Sequence, residues 1–296
     1  MRRRQFLLSS ALAAAAVHCP RPLLALPPDH RYMQRLGLQL YTVRNELAAD
    51  RDATLKKIAE IGYKQVELVE TVGAQEVAKA AKDQGLAVTS AFFDWKAVVA
   101  PDTPGAAKIE EVIEAAQQIG LKYLVFGYIG PGHRDSADDY RRAADAANAV
   151  GERIHQAGMQ LCYHNHAFEF EPLENDTMGF DLLVKGFDPK LIKFEIDVFW
   201  TAVGGWKPVE ILKRLDGAVS QLHLKDVKPG AGTVFDESKV SETTFQEVGD
   251  GSIDFAELLQ VAERIGVEQC HVEQDHSLSP LESIAQSYAF LRDLQL

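Results

Sequence analysis

The chain has 296 residues, 46% of them hydrophobic and 25% charged, which is enough for a sizeable buried core in one large α/β domain or two smaller ones. Its formal net charge of −12 gives a surface that repels phosphate backbones, which argues against nucleic acid as a partner. Three cysteines are too few for a disulfide framework, and Cys162 and Cys270 fall inside apolar strand-like runs.

The first segment reads as an export signal. Arg2-Arg3-Arg4-Gln5-Phe6-Leu7-Leu8 is followed by the small and apolar run Ser9 to Val17, a charged region leading into a hydrophobic one. Arg3-Arg4 before Gln5-Phe6-Leu7 matches the twin-arginine pattern, with cleavage expected near Ala25. The apolar run is shorter than the about 20 residues of a membrane span, and His18 before Cys19 is unlike a lipoprotein site. Residues 1–25 are therefore expected to direct the protein to the periplasm, leaving residues 26–296 as one domain free of the membrane. Loss of Arg2, Arg3, Arg4 and Arg21, with no acid among those 25 residues, takes the formal charge from −12 to −16.

Beyond it one unit recurs. An amphipathic helix ends in glycine, and an apolar run begins one to three residues later, at Gly62, Gly85, Gly120, Gly158 and Gly266. Glycine suits the residue after a helix because positive φ costs it no steric strain. Ile109, Val112, Ile113 and Ala116 recur at helical spacing, as do Tyr140, Ala143, Ala147, Val150 and Ile154, and Phe255, Leu258, Leu259 and Ala262. Strands are expected near 36–42, 65–69, 86–92, 122–127, 159–165, 191–197, 219–225 and 268–273. Eight strands alternating with helices predict a parallel sheet closed into a (β/α)₈ TIM barrel. No Gly-x-Gly-x-x-Gly follows the first strand, which weakens an open dinucleotide-binding sheet. The longest irregular stretch, Val227 to about Ser252, is expected to be a loop on the catalytic face.

Four strands end in ionisable groups: Tyr163-His164-Asn165-His166, Phe194-Glu195-Ile196-Asp197, Leu222-His223-Leu224-Lys225-Asp226 and His271-Val272-Glu273-Gln274-Asp275. Side chains alternate along a strand, so Asp197 shares the inward face with Glu195. One inward group from each strand gives His164, Asp197, His223 and Glu273, a nitrogen and oxygen shell suited to Mn, Fe, Co or Zn. Asp197 could instead cap the next segment, although a carboxylate ending an apolar strand is costly to bury unpaired. His155 and His271 read as core or rim histidines, and Glu169 and Glu171 as either loop or site residues. Tyr41, Phe92 and Trp200 are candidate substrate contacts, and Trp206, Phe93 and Trp95 also fall near strand ends, where aromatic faces can stack on sugar rings.

At these strand ends the chain resembles the xylose isomerase-like barrel superfamily, often labelled sugar phosphate isomerase/epimerase. The resemblance rests on Gly37-Leu38-Gln39-Leu40-Tyr41-Thr42, Tyr163-His164-Asn165-His166 with Phe168-Glu169-Phe170, Asp197 with Trp200, His223-Leu224-Lys225-Asp226, Val248-Gly249-Asp250-Gly251-Ser252-Ile253-Asp254-Phe255 and Val272-Glu273-Gln274-Asp275. It implies a divalent metal held by Glu, Asp, His and Glu in the family's ketose epimerases. Asp197, His223 and Glu273 match that pattern, and His164 stands where the first glutamate is expected. It further implies proton abstraction beside a carbonyl, with Glu273 as base, and His166, Glu169 or Lys225 as the second acid or base. With one such glutamate replaced, elimination suits the chain better than symmetrical epimerisation, and resemblance to exported members of the superfamily implies action on 3-keto-glycosides. The expected partner is a small sugar, glycoside or cyclitol, and a homo-oligomer remains compatible. The alternatives are a non-catalytic periplasmic carbohydrate-binding barrel and a nuclease resembling endonuclease IV, which would need more histidines and a basic face.

Overall fold

The structure, a computed structural model, describes residues 30–296, so the expected export segment lies outside the described residues. Eight parallel strands close into a barrel: β1 (Gly37–Gln39), β2 (Gln65–Leu68), β3 (Ala87–Phe93), β4 (Tyr123–Phe126), β5 (Gln160–His164), β6 (Ile192–Asp197), β7 (Val219–Leu224) and β8 (Gln269–Val272). Each pairs with its neighbour in sequence, and β1 pairs with β8 through Gly37 opposite His271. Helices cover the outside, and no helix among the described residues is long and apolar enough to cross a membrane.

The glycine-ended units form as their sequence predicts. Gly62, Gly85, Gly120, Gly158 and Gly266 all take positive φ, between 79° and 128°. The helix Ile109–Ile119 buries Ile109, Val112, Ala116 and Ile119 against the sheet, and Ala137–Gln156 buries Tyr140, Ala143, Ala147, Val150 and Ile154. These are the apolar stripes that the 3.6-residue period sets on one face.

The first strand is shorter than its apolar run suggests. The Gln39 side chain accepts the backbone N–H of Tyr41, turning the chain into a 3₁₀ segment over Leu40–Val43. The long segment after β7 is also more ordered than a plain loop. Asp226–Val227 pairs antiparallel with Phe245–Gln246. The buried Asp226 carboxylate accepts the backbone N–H groups of Val227, Gly249, Gly251 and Ile253, fixing where the segment returns to the barrel.

The barrel interior departs from the layers of branched apolar side chains usual in this architecture. Gln65, Gln221 and Gln269 are buried in it, and the Gln269 amide reaches the Gln221 carbonyl oxygen. Gln221 Nε2 donates to Glu195 Oε2 at 2.9 Å and to Ser90 Oγ at 3.2 Å. Register shifts leave Thr89 unpaired on β3 opposite Val66 and Glu67, and Ser220 unpaired on β7 opposite Phe194 and Glu195. A bulge re-aims the side chain that follows it, here Ser90 and Gln221, which donate to Glu67 and Glu195.

Candidate metal centre

The four strands that end in ionisable groups are consecutive in the barrel, so their C-terminal ends meet on one face. The register sets His164 opposite Glu195, Asp197 opposite His223, and His223 opposite His271. His164, Asp197 and His223 each present a ligand-type atom within 4.8 Å of the others. Glu273 joins them, with Oε2 2.8 Å from His223 Nδ1. His164 Nε2 lies 3.8 Å from Asp197 Oδ2. All four of the residues chosen from sequence are therefore brought together, and all are buried.

Asp197 serves two purposes at once. Its Oδ1 accepts the Trp200 backbone N–H at 2.8 Å, capping the short helix Val198–Val203. Its Oδ2 is turned inward, buried without an aligned hydrogen bond, although Lys225 Nζ lies 3.1 Å away. His164 turns Nε2 toward this oxygen, at 3.8 Å, while its Nδ1 faces Glu195 Oε1 at 3.6 Å without a hydrogen bond. Native proteins rarely leave such atoms unsatisfied, and a mixed imidazole and carboxylate set with unspent lone pairs fits a divalent cation.

His223 is gripped from below. Its Nε2 lies 2.6 Å from Glu67 Oε2 and in contact with Glu195 Oε1. Glu67 is itself held by Gln39 Nε2 at 2.9 Å and Ser90 Oγ at 2.5 Å. A carboxylate on the far ring nitrogen fixes the tautomer and ring angle of a ligating histidine. With no ion bound, both ring nitrogens of His223 carry hydrogen and Nδ1 donates to Glu273 Oε2; a cation between Glu273 and Asp197 would take the place of the Nδ1 proton. Glu67, Glu195, His223 and His271 also form a compact donor group. Glu195 Oε1 and both His271 ring nitrogens are likewise without a hydrogen bond, but only the upper group has members that line the cavity, His164 and Glu273, so the upper group is the candidate centre.

The sequence reading left Glu67 unassigned. Its signal was a carboxylate inside the four-residue strand Gln65-Val66-Glu67-Leu68, which is buried throughout. Glu195 was visible as an inward residue, and only the fold shows that it supports His223. His271, read as a core or rim histidine, is buried beside Glu67, with its Nδ1 3.8 Å from Oε1.

The electrostatics follow from burial and mutual contact. Burial opposes the charged form of His223, but Glu195, Glu273 and Glu67 outweigh it and hold the imidazolium well above its usual range. Burial also opposes charge on Lys225, yet Asp197, Asp275 and Glu273 keep the ammonium charged. Its Nζ is 2.7 Å from Glu273 Oε2 and 3.0 Å from Asp275 Oδ1. Against its burial, Lys225 and His223 hold the Glu273 carboxyl far below the ordinary value. Burial pushes the Glu195 carboxyl up to about 8, with Glu67 adding to it. His164 is driven well below its usual value by burial and by His223, and His166 down to about 3 by burial and Lys225. Both histidines are therefore neutral at pH 7.

Some of these groups reach one end of a cavity of about 770 Å³, and Asp197 and His223 stand behind its wall. His164, His166, Lys225 and Glu273 line it, as do Tyr41, Phe92 and Trp200. Glu169 does not line it. Its carboxylate accepts the Tyr163 hydroxyl at 2.7 Å and the His166 backbone N–H, and burial pushes it up to about 7. The 3₁₀ turn Phe168–Phe170 folds Glu169 back behind β5, so the sequence-based placement of Glu169 among the acid and base groups is replaced by a role in holding His166. Trp206 likewise lies away from the cavity, beside Phe170. Tyr128 and Glu237, which the sequence reading did not single out, line it.

Comparison with known proteins agrees with this architecture. The chain is 28% identical over 189 residues to an inosose dehydratase of Klebsiella pneumoniae subsp. pneumoniae, spanning 59% of this chain and 60% of that protein. The chain thus spans somewhat more than half the length of that relative. A sugar phosphate isomerase/epimerase from Parabacteroides distasonis superposes with a TM-score of 0.73 at 23% identity, over 88% of this chain and 94% of that one. An IOLI protein with a binding zinc atom superposes with a TM-score of 0.62 at 16% identity, over 87% and 97%. Residues 55–294 match the profile of one family, and with eight parallel strands closed around the centre just described, the chain belongs to the xylose isomerase-like TIM barrel family.

Proposed function

We propose that this protein is a metal-dependent enzyme of the isomerase, epimerase or lyase kind. It abstracts a proton beside the carbonyl of a keto sugar, glycoside or cyclitol, with elimination as the favoured outcome. The observation that carries this reading is the convergence of His164, Asp197, His223 and Glu273 beside a cavity of about 770 Å³ that His164 and Glu273 line, with Asp197 Oδ2 buried and without a hydrogen bond. The relative named inosose dehydratase is in keeping with an elimination from a cyclic polyol ketone.

His164, Asp197, His223 and Glu273 would hold a divalent ion such as Mn, Co, Fe or Zn. When bound, it would stabilise the negative charge that develops on the carbonyl oxygen as the adjacent C–H is deprotonated. Glu273 is ionised and lines the cavity, so it takes the proton. Its low proton affinity makes it a weak base but a ready donor, suited to passing that proton to the departing oxygen, so the elimination consumes no net proton. Lys225 is too firmly charged to act as an acid, and its ammonium offsets the negative charge beside Glu273. The neutral His166, with Nδ1 buried and unpartnered, accepts a substrate hydroxyl. Tyr41, Phe92 and Trp200 supply flat faces for the ring.

The test is incubation with keto sugars, inososes and 3-keto-glycosides in deuterated water, followed by NMR. Solvent deuterium should enter beside the carbonyl, with loss of the leaving group where one is present. Glu273→Gln should fold and lose this exchange. A wild-type protein that holds no divalent metal and exchanges no C–H would overturn the enzyme reading in favour of a carbohydrate-binding barrel. The twin-arginine pattern at Arg3-Arg4 supports action in the periplasm, and deleting residues 1–25 should leave the protein in the cytoplasmic fraction.

A further inference from the structure

The cavity is longer than one sugar ring requires. At about 770 Å³ it falls in the upper part of the roughly 300–1,000 Å³ range of sites that enclose drug-sized ligands. Two aromatic side chains three residues apart on the β3 end line it, Phe92 and Trp95. Phe92 belongs to the reacting end, with its ring 5.1 Å from His164 and 5.7 Å from His223. Trp95 stands farther out. It reaches His164 only through a chain of rings: Tyr128 at 6.2 Å, then His166 at 5.4 Å, then His164 at 5.2 Å.

Both rings are seated by missing side chains on the neighbouring strand end. A Cβ on Gly127 would lie 2.1 Å from the Phe92 ring, and one on Gly130 would lie 2.3 Å from the Trp95 ring. Neither ring could hold its place beside any other residue. Trp95 is therefore a positioned plate as well as packing, and it remains part of the cavity wall.

Beside Trp95 the wall is polar. Glu237, from the long segment after β7, crosses the mouth to accept the Tyr128 hydroxyl at 2.5 Å and Arg134 Nη2 at 2.9 Å, both through Oε1. Its Oε2 is buried with no hydrogen-bond partner. A flat aromatic face with a carboxylate and a phenol on the same cavity wall suits a sugar ring, whose C–H faces stack and whose hydroxyls donate.

We propose that Trp95, Tyr128 and Glu237 form a second sugar subsite, and that the substrate is a two-ring glycoside whose reacting ring lies at Phe92 and whose leaving portion stacks on Trp95. This rests on the function proposed above and names its substrate class. A free cyclitol or monosaccharide would fill only the inner end.

Binding of unreactive ligands separates the subsite from the chemistry. Glucose, cellobiose and phenyl β-glucoside would be titrated calorimetrically into the metal-loaded wild type, Trp95→Ala, Trp95→Phe and Glu237→Gln. The two-ring ligands should bind the wild type at least tenfold more tightly than glucose. Trp95→Ala should remove that increment while leaving glucose affinity within about twofold, Trp95→Phe should restore part of it, and Glu237→Gln should lower cellobiose binding more than phenyl β-glucoside binding. Equal affinity of the wild type for all three ligands overturns the subsite. So does a Trp95→Ala loss shared equally by glucose and cellobiose. A wild type that shows the increment and yet exchanges no C–H leaves the subsite standing and removes only the proposed reaction.

Discussion

Replacing Glu67 by Gln isolates the support beneath His223. Glu67 touches no cavity space, and Gln preserves its volume, yet the substitution exchanges the carboxylate 2.6 Å from His223 Nε2 for a neutral amide. Loss of an outer partner of a ligating histidine typically weakens metal binding by about 10–100-fold, or about 1.4–2.7 kcal/mol. Glu195 reaches the same nitrogen, so the single variant should fall near tenfold and Glu67→Gln with Glu195→Gln near a hundredfold. Competition against a chromophoric chelator with Zn²⁺ or Co²⁺ reads this directly. The metal-induced rise in Tm should shrink by about 3–5 °C for the single variant, from the size scaling of unfolding entropy. Because Glu67 is the buried partner of the His223 imidazolium and accepts from Gln39 and Ser90, the metal-free Tm of the variant should fall as well, and the metal effect is read as the difference between loaded and metal-free protein. Unchanged metal affinity in both variants would refute the argument and return Glu67 and Glu195 to plain core residues.

Other expectations follow from the same geometry. Asp197→Asn should keep the helix cap and lose metal, whereas Asp197→Ala should lose both, and the metal-free proteins should differ by about 1 kcal/mol in urea unfolding. Lys225→Met leaves Asp197, Glu273 and Asp275 without their buried cation, so the metal-free protein should lose about 3–5 kcal/mol and regain much of it when a divalent ion is added. The Glu169 carboxyl sits at about 7 in the fold against 4.5 in a solvated chain. Between those values the unfolded state gives up its proton first, so this group's contribution to stability falls as pH rises from 4.5 to 7. Glu169→Gln should flatten that decline, and denaturant titrations at pH 5 and pH 7 would measure it. An identical decline in the variant would assign it to another group.

The order of strands and helices was legible because each unit carries its own local signal. Apolar runs of four to seven residues follow glycines that the chain needs at positive φ, and helices bury stripes at the 3.6-residue period. His164, Asp197, His223 and Glu273 could be chosen as a set because each ends a strand on the inward face, and barrel closure aligns such ends on one side. Glu169 and Trp206 were harder to place, since one lies in the 3₁₀ turn past β5 and the other in the turn after the short helix Val198–Val203, and the local sequence does not specify the direction of either turn. The orientation of Asp197 was equally hidden: capping and ligation draw on the same side-chain chemistry, and only the fold shows Oδ1 taking the cap while Oδ2 is left free of hydrogen bonds.

What the tertiary structure alone decided is the partnership between distant segments. Glu67 and His223 are 156 residues apart, and Tyr128 and Glu237 are 109 apart. No periodicity records that β2 and β7 face one another across the barrel axis, or that the segment after β7 crosses the mouth to β4. The sequence by itself determined the repeating unit, the inward alternation and the chemistry available at each strand end, because these depend on neighbours within a few residues. Which ring nitrogen of His223 faces the cavity, which carboxylates stand behind it, and how far the cavity extends toward Trp95 depend on closure of the sheet, which sets distances that no local pattern encodes.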